Sequence, residues 1–142
     1  MNILFICKHN VFRSKVAESY FNKINKNKNI NIKSSGLVIG KGLSKKQKLT
    51  VKLQRQAAKE SGILIKYNPK PSTIGLFHKQ DLIIITANNI SLDLIKNSNY
   101  VKKVIKWNIP DVDYPDKKDM KKTIKTIKFN TKRLVKKLEY KE

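Results

Sequence analysis

The stretch that decides the fold is Ile3-Leu4-Phe5-Ile6-Cys7-Lys8-His9-Asn10-Val11-Phe12-Arg13-Ser14-Lys15-Val16-Ala17-Glu18. A short apolar run enters a polar loop. The loop then enters a pattern with Val16, Ala17, Tyr20, Phe21 and Ile24 on one face at helical spacing. A strand, a loop and a helix in this order gather backbone N–H groups at the helix N-terminus, where they bind an oxyanion such as phosphate. Cys7 is the single cysteine of the chain, and Arg13 lies six positions after it. The helix dipole and the guanidinium both favour a thiolate. A nucleophile inside its own anion site points to phosphoryl transfer through a covalent cysteine intermediate. The competing reading makes Cys7 a small core hydrophobe at the end of a buried strand. That reading suits the cysteine taken alone. The full string Cys7, His9, Asn10, Arg13, Ser14, Ala17 and Glu18, directly after a strand, favours the site.

Outward from this stretch, strand and helix alternate. Ile30 to Ser34 reads as a second strand. Ser44 is placed to N-cap a helix that runs to about Ser61 and stops at Gly62. Lys66 to Ser72 is a loop with Pro69 and Pro71. Leu82 to Thr86 is continuously apolar, as expected of a strand covered on both faces. Ile90 to Lys96 reads as a short helix, Val101 to Lys106 as a fourth strand, and Pro110 to Pro115 as irregular. A last helix carries Met120, Ile124, Ile127, Leu134 and Leu138 toward the core. The expectation is a single α/β domain over residues 1–142, three-layered, with a four-stranded parallel sheet flanked by helices and an N-terminal Cys-x5-Arg phosphate-binding loop. Ligands of such sheets bind beyond the carboxyl ends of the strands. Cys7 and the segment from Trp107 to Asp113 both follow strands.

The chain has 142 residues, with 32 Lys and Arg against 10 Asp and Glu, a formal charge of +22, and 39% hydrophobic residues. That length suits one core. A lone cysteine excludes an internal disulfide and fits a reducing cytoplasm. The N-terminal apolar run is too short for a signal peptide, and no apolar stretch approaches transmembrane length, so no membrane span is expected. The lysines are dispersed over Lys23 to Lys33, Lys45 to Lys59 and Lys117 to Lys137. Solvated helix faces account for most of them, although the charge also allows non-specific polyanion binding. No nucleic-acid motif or aromatic stacking pair is visible. One Cys with His9 and His78 lacks metal-ligand spacing, so neither a metal nor a cofactor is expected. A monomer is expected.

The loop resembles that of the low-molecular-weight protein tyrosine phosphatases and of the thioredoxin-coupled arsenate reductases that share their fold. The phosphatase loop reads roughly C-x-G-N-x-C-R-S-x-x-A-E, and many reductases read C-x-H-N-x-x-R-S-x-x-A-E. The second form is the one present, with His9 in place of Gly. Ser34-Ser35-Gly36, Asp81 to Thr86 and Trp107-Asn108-Ile109-Pro110-Asp111 extend the likeness along nearly the whole chain. The resemblance implies a cysteine-dependent phosphatase that hydrolyses phosphotyrosine-like groups of a phosphorylated protein, or small phosphomonoesters, through a cysteinyl-phosphate intermediate. Cys7 is then the nucleophile. The loop Lys8, His9, Asn10, Val11, Phe12 and Arg13 holds the phosphate, with Arg13 gripping two oxygens. Ser14 donates to the thiolate, Asn10 braces the loop, and Ser34 is hydrogen-bonded to Asn10. Asp111 matches the late-loop general acid. Where the family has Asp-Pro, this chain has Asp111-Val112-Asp113, which makes Asp113 a rival acid. Both aspartates, with Asp116, otherwise read as caps of the last helix. Trp107 and Tyr114 read either as a stacking surface for an aromatic substrate or as half-buried anchors.

Phe12 stands where the phosphatases usually carry a second cysteine, so Cys7 has no internal resolving thiol. Thr86 to Ser91 holds none of the cysteines of the reductase relay. Tyr67 stands where the phosphatases often have a His. The alternatives are an arsenate reductase that uses an external thiol or a partner protein, and a non-catalytic anion or nucleic-acid binder. Specificity is expected from Lys41 to Gln47 and from Tyr114 to Asp119.

Overall fold

Side chains alternate across the first strand, β1 (Asn2–Cys7), and this alternation builds two hydrophobic layers. The computed structural model describes residues 1–40, 42–100 and 102–140. β1 lies at the centre of a parallel sheet with β2 (Asn31–Gly36), β3 (Leu82–Ile85) and β4 (Lys103–Lys106), in the order β2-β1-β3-β4. Ile3 and Phe5 of β1, with Leu82 and Ile84 of β3, enter one cluster. Residues of α1 (Arg13–Ile24), α2 (Lys45–Glu60) and α5 (Lys117–Glu139) complete it. Leu4, Ile6, Ile83 and Ile85 enter the other, under α3 (Ile74–His78) and α4 (Leu92–Lys96). β3 is buried throughout, as its unbroken apolar run predicts. The expected single α/β domain of three layers, with a four-stranded parallel sheet, is the observed fold.

Local signals explain most of the element ends. Ser44 caps α2 in a capping box with Gln47. Gly62, at φ 81, ends it. α1 buries Val16, Ala17, Tyr20 and Phe21, and α5 buries Met120, Ile124, Ile127 and Leu134. α3 is an addition to the expected elements. Its cap, Thr73 Oγ1, accepts from Leu76 N at 3.0 Å, and Phe77 is its one buried residue, too short a pattern to show periodicity. The expected start of the fourth strand, Val101, lies outside the described residues. Trp107 settles as an anchor: its ring packs against Phe5 at 5.7 Å on the α5 side of the sheet.

Glu60, at the end of α2, receives hydrogen bonds from Lys117 and, at 2.8 Å, from Lys121, both on α5. These two ammonium groups hold its carboxyl at about 2 against an ordinary 4.5, by hydrogen bonding first and by charge second. A carboxyl depressed in the folded state adds stability that is fully present above pH 4.5 and is lost as the pH falls toward about 2. Glu60→Gln is therefore expected to melt below the wild type at neutral pH. The gap should close across that acidic window when melting is followed by circular dichroism.

Candidate active site

The N-terminus of α1 differs from those of the other helices. Side chains of Ser44, Thr73, Ser91 and Asp116 cap α2, α3, α4 and α5, whereas Phe12 gives α1 no side-chain cap. Among the described residues, no protein acceptor takes the backbone N–H of His9, Val11, Phe12 or Arg13. Free donors at a positive dipole end form a cradle for an anion. Cys7, the last residue of β1, carries its thiol to the same place. Its Sγ receives Asn10 N at 3.2 Å and lies 3.0 Å from Ser14 Oγ.

Asn10 closes this loop. It adopts φ 55, the left-handed region that Asn tolerates better than most residues. Its Nδ2 donates to Ser14 Oγ at 2.7 Å and to Ser34 Oγ at 3.0 Å, while its Oδ1 accepts from Lys70 N at 2.9 Å. Ser34 Oγ donates in turn to Glu18 Oε1 at 2.7 Å. Lys15 Nζ stands 4.0 Å from that carboxylate, and burial pulls the Lys15 ammonium below its ordinary range. Gly36 is the matching constraint across the sheet. A Cβ there would come within 2.8 Å of Asn10 N and His9 C, both backbone atoms. His9 is held at the rim by Nδ1 against Val38 O at 3.0 Å.

Arg13 is almost fully buried, at 1% exposure, and its guanidinium is fixed from three sides. Nη1 donates to Ile109 O at 2.9 Å, Asn89 Oδ1 lies 3.4 Å from both terminal nitrogens, and Asp111 Oδ2 lies 3.4 Å from Nη2. These partners follow β3 and β4, so the parallel sheet brings all of them to one rim. Nε has no partner among the described residues.

The cavity in front of the loop holds about 220 Å3. Cys7, His9 and Arg13 line it together with Val11, Leu43, Val51 and Tyr67. Asp111, Asp113 and Gln54 line it as well. Gln54, buried on α2, donates Nε2 to Val112 O at 2.9 Å, between the two aspartates. A carbonyl accepts only, so this bond fixes the amide orientation. Gln54 Oε1 is then a buried acceptor without a partner, an arrangement that costs about 1–3 kcal/mol unless a donor fills it.

Of the residues singled out in the sequence, Cys7, Asn10, Ser14 and Ser34 form one hydrogen-bonded group, Arg13 and Asp111 form an ion pair, and Cys7, Arg13, Asp111 and Asp113 line the same cavity. Lys8 is exposed beside it. Phe12 turns its ring into the core. Asp116, not Asp111 or Asp113, caps α5. Neither proposed stacking ring lines the cavity: Trp107 is a core anchor, and Tyr114 donates to Asp119 Oδ2 at 2.7 Å. Tyr67 is the aromatic wall. Of the two segments expected to set specificity, Gly42, Leu43 and Gln47 line the cavity, Lys41 lies outside the described residues, and no described residue of 114–119 contributes. Asn89 and Gln54 were not read as site residues, and Tyr67 was read only as a departure from the phosphatases. Their only sequence signal is position, after β3, mid-helix, and in the loop that follows Gly62. Among the described residues, no three His, Cys, Asp or Glu side chains are grouped to hold a metal.

Residues 2–142 match the model of the family described as low molecular weight phosphotyrosine protein phosphatase. No curated protein sequence matches the chain. Among solved structures, a protein tyrosine phosphatase from Entamoeba histolytica is 22% identical with a TM-score of 0.80, covering 99% of this chain and 97% of that one. The YwlE arginine phosphatase from Geobacillus stearothermophilus is 16% identical with a TM-score of 0.77, over 99% and 94%. An arsenate reductase from Archaeoglobus fulgidus is 23% identical with a TM-score of 0.66, over 94% and 98%. At these identities the three structures show a shared fold.

Inorganic phosphate is expected to protect Cys7 from alkylation by iodoacetate. Gly36→Ala should keep the fold but push the loop backbone aside and weaken that protection by up to about 100-fold, the scale of an ångström-sized displacement. The rate of carboxymethylation, read by mass spectrometry over a phosphate series, checks this.

Proposed function

The chain belongs to the low molecular weight phosphotyrosine protein phosphatase family, and from that membership we propose a cysteine-dependent phosphatase that hydrolyses phosphorylated side chains or small phosphomonoesters. One observation carries the reading: the Cys7 thiol sits against the uncapped N-terminus of α1, among backbone N–H groups with no protein acceptor.

In the first step the Cys7 thiolate attacks phosphorus in line, and the S–P bond forms as the bond to the leaving oxygen breaks. The loop N–H groups and Arg13 hold the three equatorial oxygens. Arg13 exchanges its contact with Asp111 for the oxyanion, and the released Asp111 carboxylate takes up a proton from solvent and then delivers it to the leaving oxygen. In the second step the Asp111 carboxylate takes a proton from water, the water oxygen attacks phosphorus, and the S–P bond breaks to release inorganic phosphate. Ser14 Oγ, 3.0 Å from Sγ, supports the departing thiolate. Asn10 and Ser34 position the loop, and Asn89 and Ile109 O aim the guanidinium.

The carboxylates of Asp111 and Asp113 favour a second substrate for the same chemistry. Both residues line the cavity, where they can accept from the N–H groups of a phosphoarginine side chain, for which a phosphotyrosine ring has no counterpart. Arsenate reduction is the weaker reading for this chain. Cys7 is its single cysteine, so any arsenate bound in the cradle would have to be reduced by a thiol from outside.

Hydrolysis of para-nitrophenyl phosphate tests the proposal. Turnover is expected without added metal and in the presence of EDTA, and Cys7→Ser should abolish it. Asp111→Asn should lower kcat by about 100-fold or more, the usual contribution of a positioned acid, while Asp113→Asn stays near wild type. No turnover by the reduced protein would overturn the reading. Phosphoarginine and phosphotyrosine peptides, compared by kcat/KM in wild type and Asp113→Asn, decide between the two substrates.

A further inference from the structure

Helix α2 carries a cationic face that the catalytic chemistry leaves unused. Lys48, Lys52, Arg55 and Lys59 follow one another at intervals of four, three and four residues, which places them along one side of the helix. All four are exposed, and no side-chain hydrogen bond or ion pair engages any of them among the described residues. They line a groove of about 520 Å3 whose floor is apolar: Leu43, Val51, Leu64, Ile65 and Tyr67. Leu64 is 75% exposed and Tyr67 40%, so the floor is open to a partner. No acidic residue lines the groove. Leu43, Val51 and Tyr67 also line the cavity that holds Cys7, so groove and cavity form one continuous depression.

We propose that this groove is the docking site for an acidic protein segment, one that carries Asp or Glu at the rim with aliphatic side chains on the floor, and that it delivers the phosphorylated residue of that segment to Cys7. The binding site stands on the groove itself, and its delivery role rests on the phosphatase reading above. Charge complementarity sets the class of partner: four unpaired cations meet carboxylates. Arg55 gives one of them a planar fork for a carboxylate, in a chain whose other arginines are Arg13 and Arg133. The floor argues for a peptide over a nucleic acid. Single-stranded nucleic acid is held on aromatic platforms, and this floor is aliphatic with a single ring.

The test uses the whole protein and a fluorescein-labelled, unphosphorylated peptide with alternating Glu and Leu, read by anisotropy at low salt. Three proteins are compared: wild type, the groove variant Lys52→Glu/Arg55→Glu/Lys59→Glu, and a control with the same change of charge on α5, Lys122→Glu/Lys125→Glu/Lys132→Glu. The groove variant is expected to bind at least about tenfold more weakly, as the loss of three rim charge pairs allows, and the control to bind near the wild-type level. Turnover of para-nitrophenyl phosphate should be unchanged in the groove variant, which also shows that the variant is folded. Equal weakening in both variants would overturn the proposal, because the diffuse field of the whole protein would then explain the binding. So would a peptide that does not bind while polyuridylate does, lost in the groove variant. A wild type without phosphatase turnover would overturn the catalytic reading by itself, and the anisotropy comparison would still decide the groove.

Discussion

The amide of Asn10 holds the anion loop in the shape on which everything else at the site depends. Its left-handed backbone, at φ 55, costs about 1–3 kcal/mol. Three side-chain hydrogen bonds, to Ser14, Ser34 and Lys70 N, each contribute about 0.5–1.5 kcal/mol net and together offset that strain. The backbone turn at Asn10 aims its own N–H at Cys7 Sγ, and Gly36 leaves the loop room to lie against β2. A hydrogen-bonded loop of this kind is preorganised. Its donors are in place before an anion arrives and need no reorganisation when charge develops on one.

Charge is distributed on the same logic. Almost all of the excess cations point into water, where each is solvated and acts mainly through the long-range field. Arg13 and Lys15 are the exceptions, and Arg13 is the more deeply buried. A nearly buried guanidinium without partners would carry a large desolvation cost, and here Ile109 O, Asn89 Oδ1 and the Asp111 carboxylate supply them. The same partners fix the direction of the fork. In the proposed reaction an incoming oxyanion displaces this carboxylate, so one contact would both stabilise the empty site and release the acid for the occupied one.

Much of the protein was legible in the chain because its signals are local. The apolar run of β1, the spacing of Val16, Ala17, Tyr20 and Phe21, the Ser44 cap and the stop at Gly62 each lie within a few residues of the element they define. The loop string from Cys7 to Ser14 belongs to this group, and so does the pairing of Asn10 with Ser34, through resemblance. Trp107 was not decided by its surroundings in the chain. It follows a strand near the acid loop, and only its packing on Phe5, far away in sequence, turns it from a candidate stacking surface into an anchor. α3 went unread for a related reason: five residues that bury one side chain leave no periodic trace.

The sequence by itself determined the alternation of strand and helix, the parallel sheet that follows from it, and a thiol and a guanidinium at the two ends of one anion loop, because these depend on neighbours a turn or a pleat apart. The tertiary structure alone decided which groups meet that loop from elsewhere: Asn89 and Asp111 on Arg13, Gln54 under the acid loop, Tyr67 in place of Trp107 and Tyr114 on the cavity wall, and the cationic face of α2 opening into the same depression. Those contacts join residues dozens of positions apart. Their geometry is set by strand order and by the packing of helices on the sheet, which no local pattern encodes.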